Sequence, residues 1–167
     1  MSDKKRVYIA LGANLSNPKR TFAKALAGLS DVADVVAVSG LWQSPSWPSG
    51  QGHPDYINAV AELETALNPL KLLAYIKRLE VKYGRIESER NAPRPLDLDI
   101  LDYDSRVIDV ETLVLPHPRM LTRTFVLFPL EQIAPNWRDP VSGEDISQYI
   151  AQLPLNDVDS IKFMGVL

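Results

Sequence analysis

The 167-residue chain contains no cysteine and only 2 histidines. Without thiols there can be no disulfides, thiolate zinc sites, iron–sulfur clusters or thiol nucleophile, and cysteine redox chemistry is excluded. No run approaches the roughly 20 apolar residues that cross a bilayer. There is no Gly-Lys-Ser/Thr phosphate loop and no protein-kinase signature set. Any nucleotide site must therefore be of another type. A net charge of −3 speaks against a general nucleic-acid binder, which would need a broad positive surface. The apolar run Val7-Tyr8-Ile9-Ala10-Leu11 is ended by Gly12-Ala13-Asn14, too soon for a signal peptide, and reads as a first strand. The cytoplasm is the expected compartment. Internal repeats and low-complexity segments are lacking as well.

What is present suits one domain over residues 1–167, with an ordinary hydrophobic fraction of 46%. After the first strand, Asn17-Pro18 supplies a cap and a proline suited to a first helical turn. Phe22, Ala25, Leu26 and Leu29 then recur at helical spacing. The β-branched stretch from Val32 to Trp42 predicts a strand, and Gln43 to Asp55, rich in Pro, Gly and Ser, a long loop. Tyr56 to Thr65 alternates: Ile57, Ala59, Ala61 and Leu63 share one face, Tyr56, Asn58, Glu62 and Glu64 the other. A second helix begins at Asn68-Pro69, buries Leu72, Ile76, Leu79 and Tyr83, and stops at Gly84. A charged segment from Arg85 to Pro95 leads to a last alternating strand, Leu96 to Tyr103. The order β-α-β-β-α-β predicts a ferredoxin-like α+β core, with two helices on one face of an antiparallel sheet and the other face free for ligands. Helices near Thr122 to Leu130 and Ile146 to Leu153 read as C-terminal additions.

Asp97 and Asp99 lie at i and i+2 of that last strand, so both project from one side, two steps of about 3.3 Å rise apart. Leu96, Leu98 and Ile100 face the core and fix the register, which turns the aspartates toward the open side. Such a pair alone fits a solvated strand face as well as a cation site. Hard oxygen donors in a chain without cysteine suit Mg²⁺, completed by water and phosphate oxygens. Arg85, Arg90 and Arg94 before the strand, and His117, Arg119 and Arg123 after it, could surround a polyphosphate. Glu87 and Glu89 weaken that charge argument. Pro116 and Pro118 flank His117 and restrict its backbone, whereas His53 reads as a loop residue. Tyr56 and Asn58 share a strand face and offer a stacking surface beside an amide, which suits a flat heterocycle or, equally, a half-buried sheet edge.

The segment Arg90-Asn91-Ala92-Pro93-Arg94-Pro95-Leu96-Asp97-Leu98-Asp99-Ile100-Leu101 closely resembles the signature of the 6-hydroxymethyl-7,8-dihydropterin pyrophosphokinase family of folate biosynthesis. Leu11-Gly12-Ala13-Asn14-Leu15, Pro54-Asp55-Tyr56-Ile57-Asn58-Ala59, and Pro116-His117 through Arg123-Thr124-Phe125 resemble further family segments in the same order. The resemblance implies a single pyrophosphokinase domain that transfers the diphosphate of ATP to the hydroxymethyl oxygen of the dihydropterin and releases AMP. It implies that Asp97 and Asp99 hold two Mg²⁺ ions, that Tyr56 and Phe125 sandwich the pterin, that Asn58 reads its polar edge and that Ser44 and Pro45 border it. Lys77, Glu80, Arg85, Arg90, Arg94, His117 and Arg123 would lie along ATP, with Arg85 and Arg94 moving as their loop closes. A monomer with small-molecule partners follows from the same resemblance, while the net charge and the lack of a long apolar run speak against nucleic acid and membrane. The competing expectations are a kinase that moves one phosphate and leaves ADP, and a non-catalytic ferredoxin-like binding module.

Overall fold

The structure is a computed structural model, and it describes residues 3–14, 17–45, 55–83 and 96–167. Strand β1 (Lys5–Ala13) occupies the middle of the sheet, antiparallel to β4 (Tyr56–Thr65) on one side and to β5 (Asp97–Tyr103) on the other. The far edge of β4 pairs with β2 (Ala33–Val38) and then β3 (Trp42–Ser44). Helices α1 (Pro18–Leu29) and α2 (Pro69–Lys82) supply the two crossings of the β-α-β-β-α-β core, so the fold is α+β and ferredoxin-like. Each helix starts as its sequence predicts. Asn17 Oδ1 accepts the Arg20 N–H and Asn68 Oδ1 the Lys71 N–H, with proline in the first turn of both.

The apolar stripes of these helices, Phe22, Ala25 and Leu29 with Leu72, Ile76 and Leu79, pack on Val7, Ile9, Leu11, Ala59, Ala61, Leu63, Leu98 and Ile100. Alternation along the strands sends the next set of side chains to the opposite face. That face is only partly free, which corrects the expectation of an open sheet surface. Helix α3 (Thr124–Ile133) and α4 (Ile146–Ala151) cover its middle, where Tyr8, Val60 and Leu101 join Met120, Val126, Leu127, Leu130, Trp137 and Ile146 in a second core. The strand Leu96 to Tyr103 does not alternate throughout. Tyr8 pairs with Asp102 but Ile9 with Ile100, so Leu101 is the extra residue of a bulge. Leu101 joins the second core and Asp102 accepts Trp137 Nε1–H on the same side, while Tyr103 returns to the first core.

The strand expected from Val32 to Trp42 is two strands. Between them Ser39 N–H still donates to Val60 O, but Ser39 Oγ accepts the Val60 N–H at 2.9 Å and Gln132 Oε1 takes the Gly40 N–H at 2.8 Å, so side chains replace part of the sheet ladder there. The chain also forms a hairpin, β6 (Ile108–Val110) with β7 (Leu113–Leu115), a short helix α5 (Leu155–Ser160) and an edge strand β8 (Lys162–Phe163) on β3, none of which sequence patterning indicated. Among the described residues, no helix is long and apolar enough to cross a membrane.

Candidate functional site

Where α3 stops covering the sheet, a cavity of about 860 Å³ opens over the ends of β1, β4 and β5. Gly12 forms its floor. It pairs with Asp97 of β5 on one side and Asn58 of β4 on the other, so the two walls are one strand apart. A Cβ built on Gly12 would lie 3.7 Å from Asn58 Oδ1, and the floor stays low because that atom is missing. Sequence reasoning had used Gly12 only as the end of a strand. A glycine inside a strand pattern was the available signal for a close approach by something else.

One wall carries Asp97, Asp99, His117, Arg119 and Arg123; the other carries Ser44, Pro45, Tyr56 and Asn58, with Phe125 also lining the space. Asp97 and Asp99 point the same way because they are two residues apart on a regular part of β5, before the bulge. Burial, and then the charge of Asp97, hold the Asp99 carboxyl above the usual carboxylate range, with His117, Lys77 and Arg123 opposing. His117 is fixed from both ends. Its backbone N–H donates to Leu101 O at 2.8 Å, and its Nδ1 accepts the Arg119 N–H at 3.1 Å. Burial pushes its imidazole below the ordinary value although Asp99 pulls it up. A neutral ring with Nδ1 accepting carries its proton on Nε2, which makes that edge a hydrogen-bond donor. Arg123, whose charge is likewise opposed by burial and supported by Asp99, has its guanidinium carbon 5.4 Å from the Phe125 ring centre.

Asn58 is orientated by its neighbours. Its Nδ2 donates to Trp42 O at 3.1 Å and to Ser44 Oγ at 2.9 Å, so both amide hydrogens are used inside the wall. Lys77 and Glu80 do not line the cavity. Glu80 is fully buried behind β5, where it accepts the Leu98 N–H at 3.0 Å and pairs with Lys77 Nζ at 3.0 Å. Burial raises its carboxyl, with Leu98 and Lys77 opposing and Asp97 adding to the rise. Arg85, Arg90, Arg94, Glu87, Glu89, Gly84 and His53 lie outside the described residues. Among the described residues, no group of three or more His, Asp or Glu side chains could hold a metal by itself. The chemistry available is thus a carboxylate pair and three nitrogen-rich side chains facing a ring-sized slot with a polar edge.

Comparison with known proteins gives this arrangement its context. A Pseudomonas aeruginosa 2-amino-4-hydroxy-6-hydroxymethyldihydropteridine pyrophosphokinase is 38% identical over 159 residues, covering 93% of this chain and 96% of that protein. A Haemophilus influenzae protein of the same name is 45% identical over 130 residues, covering 76% and 80%. A Plasmodium falciparum HPPK-DHPS chain, solved with pterin and p-hydroxybenzoate, superposes with a TM-score of 0.73 at 14% identity. This chain spans 48% of that longer one, and the likeness speaks for the fold alone. Residues 8–135, which include every residue lining the cavity described above, match the pattern of the 7,8-dihydro-6-hydroxymethylpterin-pyrophosphokinase (HPPK) family, and to that family the chain belongs.

Proposed function

We infer that the chain is an ATP-dependent diphosphotransferase that passes the diphosphate of ATP to 6-hydroxymethyl-7,8-dihydropterin in folate biosynthesis. The observation that carries this reading is the two-sided cavity: Asp97, Asp99, His117 and Arg123 on one wall, Tyr56, Asn58 and Phe125 around the other. In this reading Tyr56 and Phe125 hold the flat pterin, Asn58 presents its remaining oxygen to the ring's polar edge, and Ser44 and Pro45 border it. His117, through Nε2–H, and Arg123 meet phosphate oxygens. Arg119, which the sequence sets among the basic residues around a polyphosphate but the resemblance does not single out, joins them. Lys77 acts at longer range, since its charge already lowers the proton affinity of Asp99. Arg85, Arg90 and Arg94 enter by resemblance as nucleotide ligands, Arg85 and Arg94 also as catalytic groups.

The donor set fits magnesium. Two carboxylates on one strand face, one of them resisting ionisation because of its burial and then of the other's charge, are relieved by a divalent cation, and oxygen donors with room for water and phosphate are what Mg²⁺ takes. Asp97 and Asp99 would hold it, two ions in this reading, and when bound it supplies charge neutralisation to the triphosphate. In the transfer the hydroxymethyl oxygen bonds to the β-phosphorus, the bond from that phosphorus to the oxygen bridging to the α-phosphate breaks, and AMP leaves with that oxygen. The hydroxyl proton is lost. Such a reaction depends on alignment and on charge stabilisation more than on a strong base. The protein's share is to fix both substrates from one rigid sheet and to hold donors around the phosphates.

Both cores are built on the same sheet, which supports reading residues 1–167 as one catalytic domain. A net charge of −3 supports small-molecule partners rather than nucleic acid, and the reading includes a cytoplasmic monomer. Incubation with ATP, Mg²⁺ and the hydroxymethyl dihydropterin tests the activity. AMP is the expected nucleotide product; ADP would overturn diphosphate transfer.

A further inference from the structure

We propose that the C-terminal strand is a positioning element of the pterin side of the cavity: residues 162–165 fix β3, and through Trp42 they set the Ser44–Asn58 pair. This rests on the pterin reading above.

Strand β3 spans only Trp42–Ser44, and it has to present Ser44 and Pro45 to the cavity. One edge pairs with β4. The other is covered by β8, with Trp42 opposite Phe163 and Gln43 opposite Lys162. Leu41 N–H donates to Gly165 O and Met164 N–H to Leu41 O, both at 2.7 Å. The tail thus closes the open edge of a strand too short to be ordered by one ladder. Side chains continue the connection. The Trp42 ring stacks on Phe128 of α3 at 5.6 Å and meets the edge of Phe163 at 5.2 Å. Its Nε1 donates to Gln132 Oε1 at 3.2 Å, while its carbonyl accepts one of the Asn58 amide hydrogens. A single residue therefore links the tail to the amide that faces the pterin slot.

Apart from Leu167, which packs against the first core, the tail's apolar residues do little for the cores. Phe163 and Met164 are each 51% exposed and Val166 is 75% exposed, so a core-filling role does not account for the segment. Gly40 is shaped by it. A Cβ there would come within 2.4 Å of the Phe163 ring and 3.0 Å of Gly165 O, so the approach of the tail requires a glycine at that point. The family pattern ends at residue 135, well before this brace.

The test is a double-mutant cycle in the full-length chain. Affinity for the hydroxymethyl dihydropterin is measured by calorimetry with a non-hydrolysable ATP analogue present, and affinity for that analogue separately, each beside a melting curve. Phe163→Ala and Gly40→Ala should each weaken pterin binding about tenfold while changing analogue binding less than about twofold. The double variant should be only slightly worse than Phe163→Ala, because the ring that the new methyl would strike is gone and only the 3.0 Å contact with Gly165 O is left. Met164→Pro, which deletes the N–H bonded to Leu41 O, should reproduce the selective loss. Unchanged pterin affinity with a lowered melting temperature would make the tail merely structural and overturn the proposal, as would equal losses for both ligands. Wild-type protein that binds pterin but yields no AMP would count against the enzymatic reading and leave the brace standing.

Discussion

Glu80 Oε2 accepts the backbone N–H of Leu98 at 3.0 Å, and Leu98 is the residue between Asp97 and Asp99. Among the described residues β5 is the last strand of its sheet and no other strand faces that N–H; a buried carboxylate from α2 takes the place of one. The aspartate pair is therefore held from behind as well as through its ladder with β1. Glu80→Ala leaves a buried donor without this acceptor and should cost about 1–3 kcal/mol of stability together with turnover. Glu80→Gln retains an acceptor oxygen and should recover most of both. Urea unfolding and AMP release measure the two effects; an alanine variant of wild-type stability would refute the capping role.

Asp97→Asn and Asp99→Asn should each lower turnover by at least about 10²-fold, the order expected when one of two charged ligands to a catalytic cation is neutralised. Stability should move the other way for Asp99. Burial and the neighbouring Asp97 charge oppose its ionisation, so the neutral amide should raise the melting temperature in the presence of a chelator. A drop in melting temperature would mean that the carboxylate is a structural partner rather than a cation ligand.

Asp102, which does not line the cavity, gives a separate pH signature. It is 3% exposed, accepts Trp137 Nε1–H at 2.7 Å and Ser105 N–H at 2.8 Å, and burial raises its carboxyl despite both donors. The folded state thus keeps a proton that the unfolded chain has lost above about pH 3.9. Its contribution to stability is full below that value and declines as the pH rises through the folded-state value. Relative to Asp102→Asn, which does not titrate, the wild type should lose stability on going from pH 4 to pH 7. Denaturant titrations at the two pH values read the slope directly, and a relative gain at pH 7 would contradict it.

Helix α1 approaches α2 at Gly28. A methyl group there would come within 2.8 Å of Leu79 Cδ2, and Tyr75 Oη already donates to the Gly28 carbonyl at 2.6 Å. Gly28→Ala should destabilise the protein by about 1–3 kcal/mol through overpacking, despite the better helix propensity of alanine. Turnover of the folded fraction should be preserved, since the contact faces away from the cavity. Equal losses in kcat and stability would show that the helix pair couples to the site.

The parts of the molecule legible in the sequence are those specified by local chemistry. Asn17-Pro18 and Asn68-Pro69 start helices because the cap and the ring act within one turn. Tyr56–Thr65 alternates because each of its faces meets a different layer, and the same logic turns Asp97 and Asp99 into the cavity. What was hidden depends on partners distant along the chain. The break at Ser39 and Gly40 needs Gln132, and the partial cover of the sheet needs α3 and α4. The two-residue strand β8 carries no pattern of its own and exists through β3. Glu80 reads as a nucleotide contact from resemblance, whereas its burial and its bond to Leu98 emerge only when α2 lies against β5.

The bulge at Leu101 divides β5 into two segments that keep separate step with β1, one through Ala10 and Gly12 and the other through Tyr8 and Val7. Anyone transplanting this strand into a chimeric enzyme must keep the bulge too. The same seven residues run as an unbroken ladder from the Tyr103 end would put Leu101 opposite Ile9, rotate both acidic side chains into the oily layer beneath the helices and bring leucines to the mouth.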